Sequence, residues 1–135
     1  MEKVDRKVVL STLWLFILLN IIFRDIHQFT LASHLEMLLT GFYNGTEITD
    51  TILLIGGFLV EIPIAMVLFS RLLKRKYSRP LNIIAAIMTT GVMLYTPPGD
   101  PDDWFFGIVE LAAIAMIICT AYKWPKSEPE ALAMA

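Results

Sequence analysis

The chain has 135 residues, of which 56% are hydrophobic and only 18% are charged, and its mean hydropathy is +0.64. A soluble domain usually contains about 45–50% apolar and about 25% charged residues, so this composition excludes an ordinary soluble globular domain. The formal net charge of −2 shows no basic excess, and we therefore expect no nucleic-acid partner.

Four apolar runs follow one another along the chain, and each approaches the roughly 17–25 residues that a membrane-spanning helix needs. They predict spans over residues 8–27, 51–70, 80–96 and 104–123. We expect the first run to be retained rather than cleaved as a signal peptide, because no small-x-small cleavage site follows it. The predicted fold class is therefore all-α: a single integral membrane domain, residues 1–135, with four helices in an up-down bundle.

Basic residues are concentrated in the segments that a four-span topology places on one side. Ten of the eleven lysines and arginines precede the first run, separate the second from the third, or follow the fourth; Arg24 is the exception. Loops rich in lysine and arginine stay in the cytoplasm. We therefore predict a multi-pass protein of the cell membrane, with both termini cytoplasmic and the lipid bilayer as its partner.

The long segment between the first two spans is predicted to contain one short helix, over residues 31–41. Its apolar residues recur with helical spacing on one face, and Gly41 is placed to end it. A segment of about eleven residues is too short to cross a bilayer. We predict that it is an interfacial helix on the outer membrane surface or over the end of the bundle.

Two glutamates, Glu61 and Glu110, lie inside the apolar runs. A carboxylate in hydrocarbon is costly and usually marks a functional site. At a rise of about 1.5 Å per residue, Glu61 lies about 14 Å and Glu110 about 9 Å below the outer surface. Small residues flank both glutamates at helical spacing, among them Gly57 and Ala65. Since small residues mark packed helix faces, we expect both glutamates to face one interior space.

The first span carries further polar residues near its outer end. Asn20, Arg24 and His27 follow one another at spacings of four and three, so they share one face of a helix. The depths counted along the span place Asn20 level with Glu61. They place Arg24 within side-chain reach of Glu110. Asp25 lies on another face, and we expect it to bond Thr30 or the outer loop. The candidate ligand-binding residues are Glu61, Glu110, Asn20, Arg24, His27 and Asp25.

The leading hypothesis is a polar site in the outer half of the bundle that binds or moves a small ligand, a cation or a proton. Two alternatives stay open: a non-catalytic membrane subunit or scaffold, and a membrane enzyme whose carboxylates act as acid and base on a lipid-soluble substrate. The chain has no nucleotide-binding loop, zinc-ligand spacing or serine-nucleophile motif, so we predict no catalytic residue, no metal and no cofactor. The sequence leaves the oligomeric state open, a homo-oligomer included.

Several short motifs are spread from Val8 to Trp124. They include Leu10-Ser11-Thr12-Leu13-Trp14, Leu19-Asn20, Glu47-Ile48-Thr49, Glu61-Ile62-Pro63, Asn82-Ile83-Ile84-Ala85 and Val109-Glu110. With these motifs the chain resembles a family of small bacterial and archaeal four-span membrane proteins of unknown function. The resemblance implies a four-helix membrane fold and no particular reaction. The layout is also similar to that of DoxX-like proteins, at the level of the fold alone.

Overall fold

The structure is a computed structural model that describes residues 4–96 and 98–125. The elements of the described chain are α1 (Arg6–Gln28), α2 (Ala32–Leu39), β1 (Phe42–Tyr43), β2 (Thr46–Glu47), α3 (Asp50–Leu72), α4 (Arg75–Tyr95) and α5 (Pro101–Tyr122). Helices α1, α3, α4 and α5 are long, between 21 and 23 residues each. The architecture is therefore all-helical apart from one very short hairpin.

Side-chain caps mark where three of the long helices begin. Asp5, Thr49 and Asp100 each accept a hydrogen bond from a backbone N–H of the first turn, an arrangement that stabilises a helix by about 1 kcal/mol. Helix α4 has no such cap and begins at Arg75, five residues before the start predicted from Pro80. So close to the N-terminus, a proline removes one backbone hydrogen bond without ending the helix.

The four long helices surround a common interior. α1 packs against α3 and α5, and α4 packs against the same two helices, so their order around the interior is α1, α3, α4, α5. The buried apolar core comprises Leu10, Trp14, Ile17, Met66, Ala85, Ala86, Ala113, Ile114, Ile117, Ala121 and Trp124. The small alanines of α4 and α5 let neighbouring helix backbones approach closely.

Asn82 of α4 is the polar centre of this interior. Its Oδ1 accepts hydrogen bonds from Trp14 Nε1 at 2.7 Å and from Ser70 Oγ at 3.0 Å. Its Nδ2 donates to the backbone oxygen of Ser78 at 2.8 Å and to the Ser78 hydroxyl at 3.2 Å. All four residues are buried. Because both ends of the amide have partners, this network joins α1, α3 and α4 without leaving the asparagine unsatisfied.

The outward sides of the long helices are apolar over most of their length. On α1 the exposed large residues include Leu15, Phe16, Leu19, Ile22, Phe23 and Ile26. Exposed apolar surface on this scale marks contact with a membrane or another protein. Three helices, α1, α3 and α5, are long and apolar enough to cross a membrane. Helix α4 is not among them, because charged and polar residues occupy its N-terminal third.

The segment between α1 and α3 holds α2 and a two-stranded hairpin. Helix α2 lies inside the range predicted for a short helix, and Gly41, with a φ of +79°, follows its end. Strands β1 and β2 pair antiparallel across Asn44 and Gly45, whose φ angles are 48° and 80°. Two positive φ angles are what a tight two-residue hairpin requires, and Asn-Gly is the dipeptide that favours them. The predicted elements do not include this hairpin, although the dipeptide signals it.

Candidate functional site

An ion pair joins α1 to α5 near one end of the long helices. Arg24 Nη1 lies 3.4 Å from Oε2 of Glu110. The Glu110 side chain is 0% exposed, whereas that of Arg24 is 23% exposed. The other carboxylate oxygen, Oε1, is buried and has no hydrogen-bond partner among the described residues. The prediction that Arg24 reaches Glu110 is confirmed.

Two further contacts continue this connection toward the ends of the two helices. His27 Nδ1 lies 3.2 Å from Oδ2 of Asp102, and the edge of its ring meets Phe106 at a centroid distance of 5.7 Å. Gln28 Nε2 donates a 2.7 Å hydrogen bond to Asp103 Oδ1. Because α1 and α5 are antiparallel, one face of α1 meets one face of α5 along three successive contacts.

A cavity of about 420 Å³ opens beside these contacts, between the ends of α1, α4 and α5 and the hairpin. Its charged lining residues are Arg24, Asp25 and Asp103, and its polar ones are Gln28, Tyr43, Asn44 and Thr96. Its apolar wall includes Leu94, Trp104 and Ile108. Separate parts of the chain thus converge on one concave site, and we call it the outer-end cavity.

The charged groups of the outer-end cavity give it a net negative character. Arg24 already faces the buried Glu110, and its Nε lies 3.9 Å from Oδ1 of Asp25, a side chain that is 58% exposed. Asp103 adds a second carboxylate to the wall. Burial and the nearby carboxylates of Asp103 and Asp25 raise the pKa of Tyr43, so its phenol stays protonated and able to donate a hydrogen bond.

The six residues predicted for the site do not all come together. Arg24 and Asp25 line the outer-end cavity, and among the described residues the Asp25 carboxylate lies beside Arg24 and makes no bond to Thr30 or to the outer loop. His27 lies beside the cavity wall in its own contact with α5. Asn20 Nδ2 donates to the backbone oxygen of Phe16, one turn earlier in α1. Asn20 is therefore bonded within its own helix rather than to a glutamate.

The prediction that Glu61 and Glu110 face one interior space is wrong. Helix α3 turns Pro63, Met66 and Ser70 toward the interior, whereas Glu61 is exposed. The ion pairs found among the described residues do not include Glu61. Of the two intramembrane acids that the sequence indicates, only Glu110 belongs to the neighbourhood of the cavity.

Three contributors to the site were absent from the predicted set. Gln28 follows Arg24 by one helical turn, and extending the helix one residue past the predicted span would have found it. Asp103 lies in the first turn of α5, where its carboxylate accepts the hydrogen bond from Gln28. Tyr43 reaches the cavity because of the hairpin, whose signal is the Asn-Gly dipeptide. Within residues 4–96 and 98–125, no group of three or more histidine, cysteine or acidic side chains is placed to hold a metal ion.

A second charged cluster lies at the opposite end of the long helices. Arg6, Arg75 and Arg79 donate hydrogen bonds of 2.7–3.3 Å to backbone carbonyls of residues 120–124, at and just beyond the end of α5. These carbonyls carry the partial negative charge of a helix C-terminus, which cations stabilise. The contacts place the starts of α1 and α4 beside the end of α5. Basic residues therefore gather at this end, whereas Asp25, Asp102 and Asp103 lie near the other end.

Comparison with known proteins assigns the chain to a family and not to a reaction. A family model described as a family of unknown function, DUF6326, matches residues 2–131. No curated protein and no solved structure matches the chain. The match agrees with the resemblance to an uncharacterised family and does not extend to a DoxX-like layout.

Proposed function

The chain belongs to the DUF6326 family, a family of unknown function, and we propose from its geometry that it is a four-span membrane protein that binds a small amphipathic cation. The observation that carries the ligand proposal is the outer-end cavity, which combines two carboxylates with an apolar wall. Its volume of about 420 Å³ lies within the range of roughly 300–1,000 Å³ that is typical of small-molecule sites.

The four-span arrangement is supported by the distribution of polar and apolar side chains between the buried and the exposed side of α4. Its polar side chains Ser78, Asn82 and Thr89 are buried against the other helices. Its exposed side carries large apolar residues, among them Ile84 and Ile87. Mean hydropathy counts both sides equally, whereas lipid contacts only the exposed one. Helix α4 therefore crosses the membrane together with α1, α3 and α5.

The orientation follows from the distribution of charge between the two ends. The end that holds Arg6, Arg75 and Arg79 also holds the other basic residues near the start of α4. In membrane proteins such an end lies in the cytoplasm. The outer-end cavity then opens toward the external face, and both termini are cytoplasmic.

The chemistry of the lining selects the class of ligand. Asp25 is the more available carboxylate, since Asp103 already accepts hydrogen bonds from Gln28 and from the Gly99 amide. A cationic group beside Asp25 gains ion-pair and hydrogen-bond energy. The indole of Trp104 offers a face for cation–π contact and an apolar surface for the rest of the molecule. A flat organic cation satisfies both requirements.

Ethidium binding tests this proposal directly. With the protein in lipid nanodiscs, we expect saturable ethidium binding that weakens about fivefold in Asp25→Asn, a change that corresponds to about 1 kcal/mol. Glu36→Gln is the matched control, because it removes the charge of an exposed acid on α2 that does not line the cavity. Equal effects of the two substitutions, or ethidium binding that never saturates, would contradict a cation site at Asp25.

A second candidate function, a non-catalytic membrane subunit or scaffold, is favoured by a different observation. The polar residues of α1 near the cavity are already paired with α5, through Arg24 to Glu110, His27 to Asp102 and Gln28 to Asp103. Such pairs hold two helices together whether or not a ligand is present. This hypothesis predicts that nanodisc-embedded protein shows no saturable ethidium binding, while substitutions of these pairs lower stability.

A further inference from the structure

The exposed side of α3 carries a regular stripe of five residues. These are Leu54, Gly57, Glu61, Ile64 and Leu68, each of them exposed. Their spacing of three and four repeats every seven residues, as in the seam between two packed helices. The stripe lies on the side of α3 opposite Pro63, Met66 and Ser70, which pack inside the protein. We call these five residues the α3 stripe.

Glu61 is the unusual member of the α3 stripe. It is the twelfth of 23 residues in α3, so it lies at the middle of a helix long enough to cross the bilayer. A carboxyl group exposed to lipid at that depth is strongly unfavourable, and intramembrane acids almost always have a polar partner. The described part of the same chain offers Glu61 no ion pair. We therefore expect a polar partner for Glu61 outside the described part of the chain.

We propose that the α3 stripe is an interface between two copies of this chain, with Glu61 of one copy hydrogen-bonded to Glu61 of the second copy. Two copies with the same membrane orientation are related by a twofold axis along the membrane normal, which places identical residues at identical depth. A protonated carboxyl donates a hydrogen bond and an ionised one accepts it, so two glutamates complement each other. The interface rests on the proposed membrane-spanning arrangement and is independent of the ligand of the outer-end cavity.

Gly57 makes this pairing geometrically accessible. It lies one turn from Glu61 on the α3 stripe, and a Cβ added there meets no atom within 4 Å in the chain itself. The space beside it is therefore open within the described part of the chain. Small residues let two membrane helices approach until side chains one turn away hydrogen-bond across the contact. The chain also offers no alternative cation at this depth, since ten of its eleven basic residues belong to the cytoplasmic segments and Arg24 faces Glu110.

Disulfide cross-linking in native membranes tests the interface. In a Cys119→Ser background, which removes the only cysteine, we expect Leu54→Cys to form cross-linked dimers on mild oxidation, since Leu54 lies on the α3 stripe and its replacement leaves Gly57 in place. Ile87→Cys is the matched control: Ile87 lies on α4, and its exposed fraction of 61% equals that of Leu54. A disulfide forms only when the two Cα atoms come within about 7 Å. We expect at least fivefold more dimer at position 54 than at position 87.

The role of Glu61 is tested in the same Leu54→Cys background. Glu61→Ala removes the hydrogen bond, and we expect the dimer yield to fall about threefold or more, in keeping with the modest strength of such bonds in membranes. Glu61→Gln keeps a donor and an acceptor, and we expect it to retain most of the yield. An unchanged yield in Glu61→Ala overturns the proposed pairing.

The remaining outcomes separate this interface from the membrane arrangement. Resistance of the chain to carbonate extraction reports insertion, independently of dimer formation. An inserted chain with equal or negligible cross-linking at positions 54 and 87 overturns the interface alone. Cross-linking of position 54 only to a heavier, different protein overturns the second copy as the occupant. Extraction of the chain by carbonate overturns both the insertion and the interface.

Discussion

The guanidinium of Arg24 lies 3.4 Å from the buried carboxylate of Glu110 while also forming part of the wall of the outer-end cavity. One side chain therefore connects a buried acid on α5 with the wall of the outer-end cavity. Glu110 is fully buried and has one oxygen without a hydrogen-bond partner among the described residues. The stability of the pair and the charge of the cavity are coupled through this arginine.

We expect Arg24→Gln to be strongly destabilising, because it leaves Glu110 buried without its counter-charge. Removal of one partner from a buried ion pair typically costs about 3–5 kcal/mol, and the partial exposure of Arg24 puts this case near the lower end. The measurement is the free energy of unfolding in mixed detergent and lipid micelles.

The double variant Arg24→Gln, Glu110→Gln supplies the control. Two neutral amides replace the charged pair and hydrogen-bond to each other, so we expect it to be more stable than Arg24→Gln alone. If the double variant were no more stable than Arg24→Gln, the charge on Glu110 would not be the source of the loss.

Asn82 provides a second prediction, on the buried network. Asn82→Leu leaves Trp14 Nε1 and Ser70 Oγ without their common acceptor, and each buried donor left unsatisfied costs about 1–3 kcal/mol. Asn20→Leu is the matched control, since Asn20 is half-buried and bonds only within its own helix. We expect a loss of stability of about 2 kcal/mol or more for Asn82→Leu and less than about 1 kcal/mol for Asn20→Leu. Similar losses in the two variants would contradict a central role for Asn82.

The arginines beside the end of α5 lead to a third prediction. Arg79 donates hydrogen bonds to the carbonyls of Ala121 and Tyr122, so Arg79→Gln removes a cation from the C-terminus of α5. We expect a loss of about 1 kcal/mol, which diminishes at high salt. Lys74→Gln, at the exposed N-cap position of α4 near the same end, changes the net charge equally and removes no cation from a helix C-terminus, so it should have little effect on stability. A loss of the same size in both variants would assign the effect to charge alone.

The hairpin gives a fourth prediction, which links backbone geometry to the cavity. Gly45 has a φ of +80° and a Cβ there meets no atom, so Gly45→Ala has only a backbone cost, of about 1–2 kcal/mol. Because Tyr43 and Asn44 line the cavity, we also expect weaker ethidium binding, measured by fluorescence titration. Gly91→Ala should instead be neutral or stabilising, since Gly91 lies inside a helix. Unchanged binding in Gly45→Ala would show that the hairpin does not shape the site.

Much of the architecture could be predicted from local patterns. Apolar length and composition indicate α1, α3 and α5, and helical periodicity correctly sets Arg24 and His27 on one face of α1. The start of α4 could not be located from Pro80, because a proline near a helix N-terminus need not be its first residue. The Asn-Gly dipeptide in the sequence indicates the hairpin. Only the folded chain, however, brings Tyr43 to a cavity formed by distant helices.

The sequence by itself determined that the chain forms long apolar helices, with its basic residues concentrated in segments that flank them, because these properties depend on composition and local spacing. Only the tertiary structure decided which side of each helix faces inward. Small residues near Glu61 indicated a packed face, but the rotation of α3 is set elsewhere, by the bond from Ser70 to Asn82 and by the bond from Ser11 to the Val67 carbonyl. Those contacts with two other helices turn Glu61 outward, and no local pattern within α3 specifies them.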